Sequence, residues 1–167
     1  LKVLQSQAML PAITFIFSRA GCDGALYQCL RSRMVLTSQA EAQQIKEIVD
    51  AGVEGIPEED LQVLAFKRWR EARCRGCAAH HAGMLPAFRH IVEDLFVRGL
   101  VRAVFATETL ALGINMPART VVLEKLIKFN REAHVDLTPG QYTQLTGRAG
   151  RRGIDTLGNA VVPWAPA

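Results

Sequence analysis

Short runs of apolar and β-branched residues alternate along this chain with longer segments whose apolar positions recur at helical spacing. That alternation is the pattern of βαβ units and a parallel sheet. The first run, Ile13-Thr14-Phe15-Ile16-Phe17, predicts a strand, and a helix is expected from about Cys22 to Arg31. Ser38 and Glu41 have the spacing of a capping box, which starts a helix ending at Gly52 with Ala42, Ile45 and Val49 on one side. After Pro57, the acidic Glu58, Glu59 and Asp60 suit a helix N-terminus, and Leu61, Leu64, Ala65, Trp69 and Ala72 supply an apolar stripe as far as Gly76. Cys77 to His80 reads as a short strand. Pro86 opens a helix with Phe88, Ile91, Val92, Leu95 and Phe96 at the spacing of a buried face, closed by Gly99. Further strands are expected at Val101–Ala106, Thr120–Glu124 and Asn159–Val162, with another helix from Thr138-Pro139. Right-handed crossovers would bring the carboxyl ends of these strands to one edge, so the loops after Phe17, His80 and Ala106 are the candidate ligand loops.

Composition adds bounds more than direction. The 167 residues, 49% hydrophobic and 22% charged, fit one globular domain over residues 1–167. Both ends, Leu1 and the closing Pro163-Trp164-Ala165-Pro166-Ala167, look like cuts through a longer polypeptide. The apolar runs are too short to span a bilayer as a helix and the start lacks the order of a signal peptide, so a cytoplasmic protein without a membrane partner is expected. A net charge of +4 permits a polyanionic partner without requiring one. Four cysteines are too few for a disulfide framework in a chain that can build its own core. Cys74, Cys77, His80 and His81 resemble a zinc set, but their compact spacing conflicts with tetrahedral geometry, and no metal is expected there.

The most specific segment is Gln144-Leu145-Thr146-Gly147-Arg148-Ala149-Gly150-Arg151-Arg152-Gly153. On a helix starting at Pro139, Gln141, Gln144, Arg148 and Arg151 share a stripe, with Tyr142, Leu145 and Ala149 opposite. Gly147 and Gly150 allow a neighbouring backbone to approach closely. Arginine suits phosphate because its guanidinium stays charged and donates a planar fork of hydrogen bonds. The competing reading is a solvated basic helix end favoured by the macrodipole.

This segment resembles motif VI of superfamily 2 helicases, in the form found in the superkiller-type DExH RNA helicases, including the bacterial HelY-like members. Three further elements resemble the same family in its order and spacing: Phe15 to Arg19 is similar to motif IV, Ala79 to Pro86 to the His-His-Ala-Gly element, and Ala106 to Thr120 to motif V. Residues 37 to 76 match only in general character.

The resemblance implies an α/β RecA-like parallel sheet flanked by helices, the second motor domain of an ATP-dependent helicase. It implies that Gln144, Arg148 and Arg151 face ATP, the two arginines acting as fingers on its phosphates, with Gly113 and Asn115 near the nucleotide. Thr107, Ser18, Arg19 and the backbone around Ala82 and Gly83 would hold phosphates of a single RNA strand, moved with 3′ to 5′ polarity in RNA processing or decay. ATP and Mg2+ would be bound mainly by the first RecA-like domain. Two alternatives stay open: a DNA-unwinding repair helicase on the same lobes, from which His80 to Pro86 and the Ala-Thr-Glu-Thr of motif V lean away, and a non-catalytic nucleic-acid-binding lobe.

Each residue also has a plainer reading. Thr107 and Thr109 could cap a helix, Arg19 could be a surface charge, and His80 and His81 could be one packed and one exposed histidine without catalytic roles. Trp69, Phe88 and Phe96 read as core and not as base-stacking platforms.

None of the lysines, Lys2, Lys46, Lys67, Lys125 and Lys128, follows a glycine, so the chain contains no Gly-Lys-Ser/Thr phosphate loop, and it contains no Asp-Glu-x-His box for magnesium. The isolated chain is therefore expected to hydrolyse no ATP. A stoichiometric, salt-sensitive ATPase that disappears on replacing Arg148 would overturn that expectation.

Overall fold

The computed structural model describes residues 10–63, 66–107 and 118–123, together with strands at 127–130, 133–136 and 159–161. Four short parallel strands form the centre: β1 (Ala12–Phe15), β2 (Cys77–His80), β3 (Ala103–Ala106) and β4 (Thr120–Leu123). Together with β7 (Asn159–Val161) they make a five-stranded sheet in the order β2-β3-β1-β4-β7. A separate antiparallel pair joins β5 (Ile127–Asn130) to β6 (Ala133–Asp136), a hairpin that the hydrophobic pattern did not reveal.

The helices are α1 (Arg19–Arg31), α2 (Gln39–Gly52), α3 (Glu58–Val63), α4 (Phe66–Cys74) and α5 (Pro86–Val97). The single helix expected between Pro57 and Gly76 is recorded as α3 and α4, and the intervening Leu64 and Ala65 lie outside the described residues. So does the helix expected at Thr138-Pro139. The described helices are too short and polar to cross a membrane.

The strand sequences explain the layering. Alternate residues of a strand point to opposite faces, and here both faces are apolar, as a covered parallel sheet requires. Ile13, Phe15, Ala78, Val104, Val121 and Leu123 join one core with Ile45 and Val49 of α2 and Ile91, Val92 and Leu95 of α5. On the other face Cys77, Ala79, Ala103 and Phe105 meet Cys22, Leu26 and Cys29 of α1. One helix therefore covers the second face while α2 and α5 cover the first.

The local start signals act as expected at α2. Ser38 accepts from the Glu41 amide at 3.2 Å, and the Glu41 carboxylate returns to the Ser38 amide at 3.0 Å. That amide contact is the main reason that the Glu41 carboxyl ionises below its ordinary range, with the Arg102 guanidinium adding to it. Arg102 also donates to the Leu36 carbonyl, so one arginine ties the start of β3 to the entry of α2.

Arg73 is a further tie that the apolar stripe of α4 concealed. Its side chain is fully buried, lies 4.5 Å over the Trp69 ring and donates Nη1 to the Cys77 carbonyl at 2.7 Å. Burial lowers its pKa to about 9, which still leaves it charged at neutral pH. Trp69 in turn stacks on Phe88 at 4.4 Å, docking α4 on α5. The aromatic residues read as core are indeed packed there.

Ile45 has no exposed surface and Gln44 beside it is exposed. Ile45→Ala should lower unfolding free energy by about 2–5 kcal/mol, because it leaves a cavity between α2 and the sheet. Gln44→Ala should stay within about 0.5 kcal/mol, and equal denaturant midpoints for the two variants would contradict this packing.

Candidate nucleic-acid interface

Parallel register aligns Phe15, His80 and Ala106 as the last residues of their strands. Backbone hydrogen bonds extend the ladder one step beyond, from the Ile16 amide to the Ala106 carbonyl at 2.9 Å and from the Thr107 amide to the His80 carbonyl at 3.3 Å. The loops singled out in the sequence therefore leave the sheet side by side.

Ser18 adopts extended backbone and caps α1, its hydroxyl oxygen accepting from the Gly21 amide at 3.1 Å. A side chain at Gly21 would meet the Ile16 methyl at 2.7 Å, so this turn needs glycine for space. The cap sets Arg19 at the first helical position, exposed to solvent, with its Cδ 3.4 Å from where a Cβ on Gly83 would stand. Two segments separated in sequence by an entire layer of helices thus lie side by side at Arg19 and Gly83.

What holds the second segment in place is His81. Its Nδ1 accepts from the Gly83 amide at 3.1 Å and its Nε2 donates to Asp23 Oδ1 at 3.0 Å, the tautomer being inferred from these partners. The ring is buried, and a Cβ on Gly83 would press against it at 3.1 Å. Ala82 and Gly83 are left exposed at the tip. The Gly83 amide is committed to His81 and is not free to meet a ligand.

His80 turns the other way. It is also buried, and its Nε2 lies 2.9 Å from Glu93 Oε1 on α5. The expectation of one packed and one exposed histidine therefore fails: alternation along the chain sends the two rings in different directions, and each direction is covered by a helix that supplies a carboxylate. Asp23 was not singled out in the sequence, although its place four residues after Arg19 sets both on one side of α1.

Ser18, Arg19, Ala82, Gly83 and Thr107 are brought together at this edge. Gly113, Asn115, Gln144, Arg148 and Arg151 lie outside the described residues. The apparent zinc set is dispersed. Cys77 packs beneath α1 beside Cys29, Cys74 packs against the core on the opposite face, and each histidine is turned to its own carboxylate. Among the described residues no three His, Cys, Asp or Glu side chains are grouped to hold a metal ion.

The family described as "Helicase conserved C-terminal domain" matches residues 58–153, more than half of the chain. The chain belongs to this helicase family. It is 66% identical over 165 residues to a probable helicase HelY of Mycobacterium leprae, an alignment covering 99% of the chain and 18% of that protein. It is 40% identical over 159 residues to human superkiller complex protein 2, covering 95% of the chain and 13% of the other. A chloroplastic DExH-box ATP-dependent RNA helicase of Arabidopsis thaliana is 44% identical over 163 residues, with 95% and 13% covered. The chain thus spans less than a fifth of the length of these relatives. Its parallel sheet between helix layers is the RecA-like arrangement of the helicase C-terminal family, as the motif resemblance implied.

The buried His80 carries a pH signature. Burial pushes its pKa below the ordinary imidazole value of 6.5, against the opposing pull of Glu93. A base whose pKa is lower folded than unfolded contributes stability that is complete above the unfolded value and is lost as pH falls through the folded one. Unfolding free energy should therefore decline on acidification below about 6.5, and His80→Gln should flatten that decline. Identical acid limbs for parent and variant would remove His80 from this role.

Proposed function

We propose that this chain is the second RecA-like motor domain of an ATP-dependent RNA helicase. The observation that carries the reading is the convergence of Ser18, Arg19, Gly83 and Thr107 on one sheet edge, in a chain of the helicase family. This edge can hold a strand by its phosphates. Arg19 supplies an exposed guanidinium, and the hydroxyl of Ser18 and the loop around Ala82 stand beside it. Contacts of this kind read no sequence, so binding should be sequence-tolerant and weaken with salt.

The donor set of Gln144, Arg148 and Arg151 suits a triphosphate: two guanidiniums donate forked hydrogen bonds to phosphate oxygens and a carboxamide orients them. ATP with Mg2+, bound mainly by a first RecA-like domain, would supply the phosphoryl-transfer chemistry. In that arrangement Arg148 and Arg151 stabilise charge on the transferring group, an effect worth roughly 10³–10⁵ in rate for such arginines. Gly113 and Asn115 link that site to the strand held by Thr107. We place the activity in cytoplasmic RNA processing or decay with 3′ to 5′ movement. The relatives named as RNA helicases and superkiller complex protein 2 favour RNA over DNA as the track.

In the intact protein, Arg151→Ala should lower ATPase activity by a factor of about 10³ or more while leaving RNA affinity within a few-fold. Arg19→Ala should do the reverse, weakening RNA binding and reducing its salt dependence with little effect on ATPase activity at saturating RNA. Equal losses in both assays for both variants would contradict the division. Parallel unwinding of RNA and DNA duplexes separates the RNA motor from a DNA-repair helicase, and absence of any ATPase activity would leave only a binding lobe.

A further inference from the structure

Two turns beyond Arg19, α1 carries a second basic feature. Tyr27 is 43% exposed, and two guanidiniums lie over its ring: Arg68 of α4 at 5.0 Å from the centroid and Arg31 of α1 at 5.7 Å. Among the described residues neither has a carboxylate partner, whereas Arg70, Arg75, Arg98 and Arg102 each pair with an acid. One cation over the ring would be enough to pin α4 to α1. Two cations sharing one ring with no acid between them repel each other, and a polyanion lying across them would offset that repulsion.

The position of the cluster says where such a polyanion comes from. Arg19, Asp23, Tyr27 and Arg31 recur every four residues, so they follow one slowly turning stripe of α1. Asp23, the acidic member, is engaged by His81. Arg19 and Tyr27 are separated by a rise of roughly 12 Å, within reach of a strand a few nucleotides long. We propose that Tyr27, Arg31 and Arg68 form a stacking and phosphate-binding site for single-stranded nucleic acid, continuing the track from Ser18, Arg19 and Gly83 along α1. A base stacks against the exposed part of the tyrosine–guanidinium assembly, and the free forks of Arg31 and Arg68 donate to the flanking phosphates. The site rests on the nucleic-acid reading of the sheet edge and lengthens it.

The test is equilibrium binding of fluorescent single strands to the intact protein at graded salt, comparing the parent with Arg31→Ala/Arg68→Ala, Tyr27→Ala and Tyr27→Phe. For a strand of about 20 nucleotides the double variant and Tyr27→Ala should each lose about tenfold in affinity, and the double variant should lower the salt slope by about 1.4, two phosphates at about 0.7 each. Tyr27→Phe should keep the parent affinity because it keeps the ring. A strand of about 2 nucleotides, too short to run from the sheet-edge site to Tyr27, should bind all four proteins alike. Unchanged binding of the long strand by the double variant overturns the site, and so does an equal loss on both strands, which marks a general effect on the fold. If the parent binds neither strand, the reading of the sheet edge fails with it. If the parent binds both and the variants lose only affinity for an acidic peptide, the surface serves a protein.

Discussion

Parallel pairing is the constraint on which the site depends. When every strand of a sheet runs the same way, the carboxyl ends share one edge, and the loops that follow them must leave from it together. Here β3 lies between β2 and β1, and the three end in register at His80, Ala106 and Phe15. Segments far apart in the chain become neighbours, as the hydrogen bond from His81 to Asp23 shows. No local propensity could produce that contact. It exists because four-residue strands of Ala, Val, Ile and Phe find apolar cover on both faces and cannot slip without turning those side chains outward.

Polar side chains inside the domain serve mostly as ties between layers. Arg73 links α4 to the start of β2, Arg102 links the entry of β3 to Glu41 in the first turn of α2, His80 links β2 to α5, and His81 links the following loop to α1. Arg73, His80 and His81 sit where burial makes an unpaired group costly, so each fixes a geometry as well as contributing energy. His81 is the tie nearest to the candidate site, because it fixes the Ala82-Gly83 loop against α1. The two histidines of this element thus act through what they hold, and in the proposed function Arg19 and Ser18 are left to meet the phosphates.

The charge of the chain is correspondingly sorted. Arg70, Arg75, Arg98 and Arg102 are occupied with acids, and those pairs on the surface contribute little to stability. Arg19, Arg31 and Arg68 belong to α1 and the helix packed beside its exposed tyrosine. A modest net charge of +4 therefore understates how positive this side of the domain is. Local distribution, more than the total, decides whether a polyanion is held.

Much of the architecture was legible in the residues. The strand at Cys77–His80 has the expected bounds, the Ser38 capping box forms as its spacing required, and the apolar spacing after Pro86 marks the buried face of α5. These features depend on neighbours a few positions apart, and such interactions are written in the local pattern. The ordered motifs likewise identified the helicase family. The sequence could not disclose the burial of Arg73, the opposite errands of His80 and His81, or the meeting of Tyr27 with Arg68. A titratable residue has no periodicity to betray its partner, and its partner stands on another helix. Which charges are paired inside the fold and which stay open at its surface was decided only when the sheet brought those helices together.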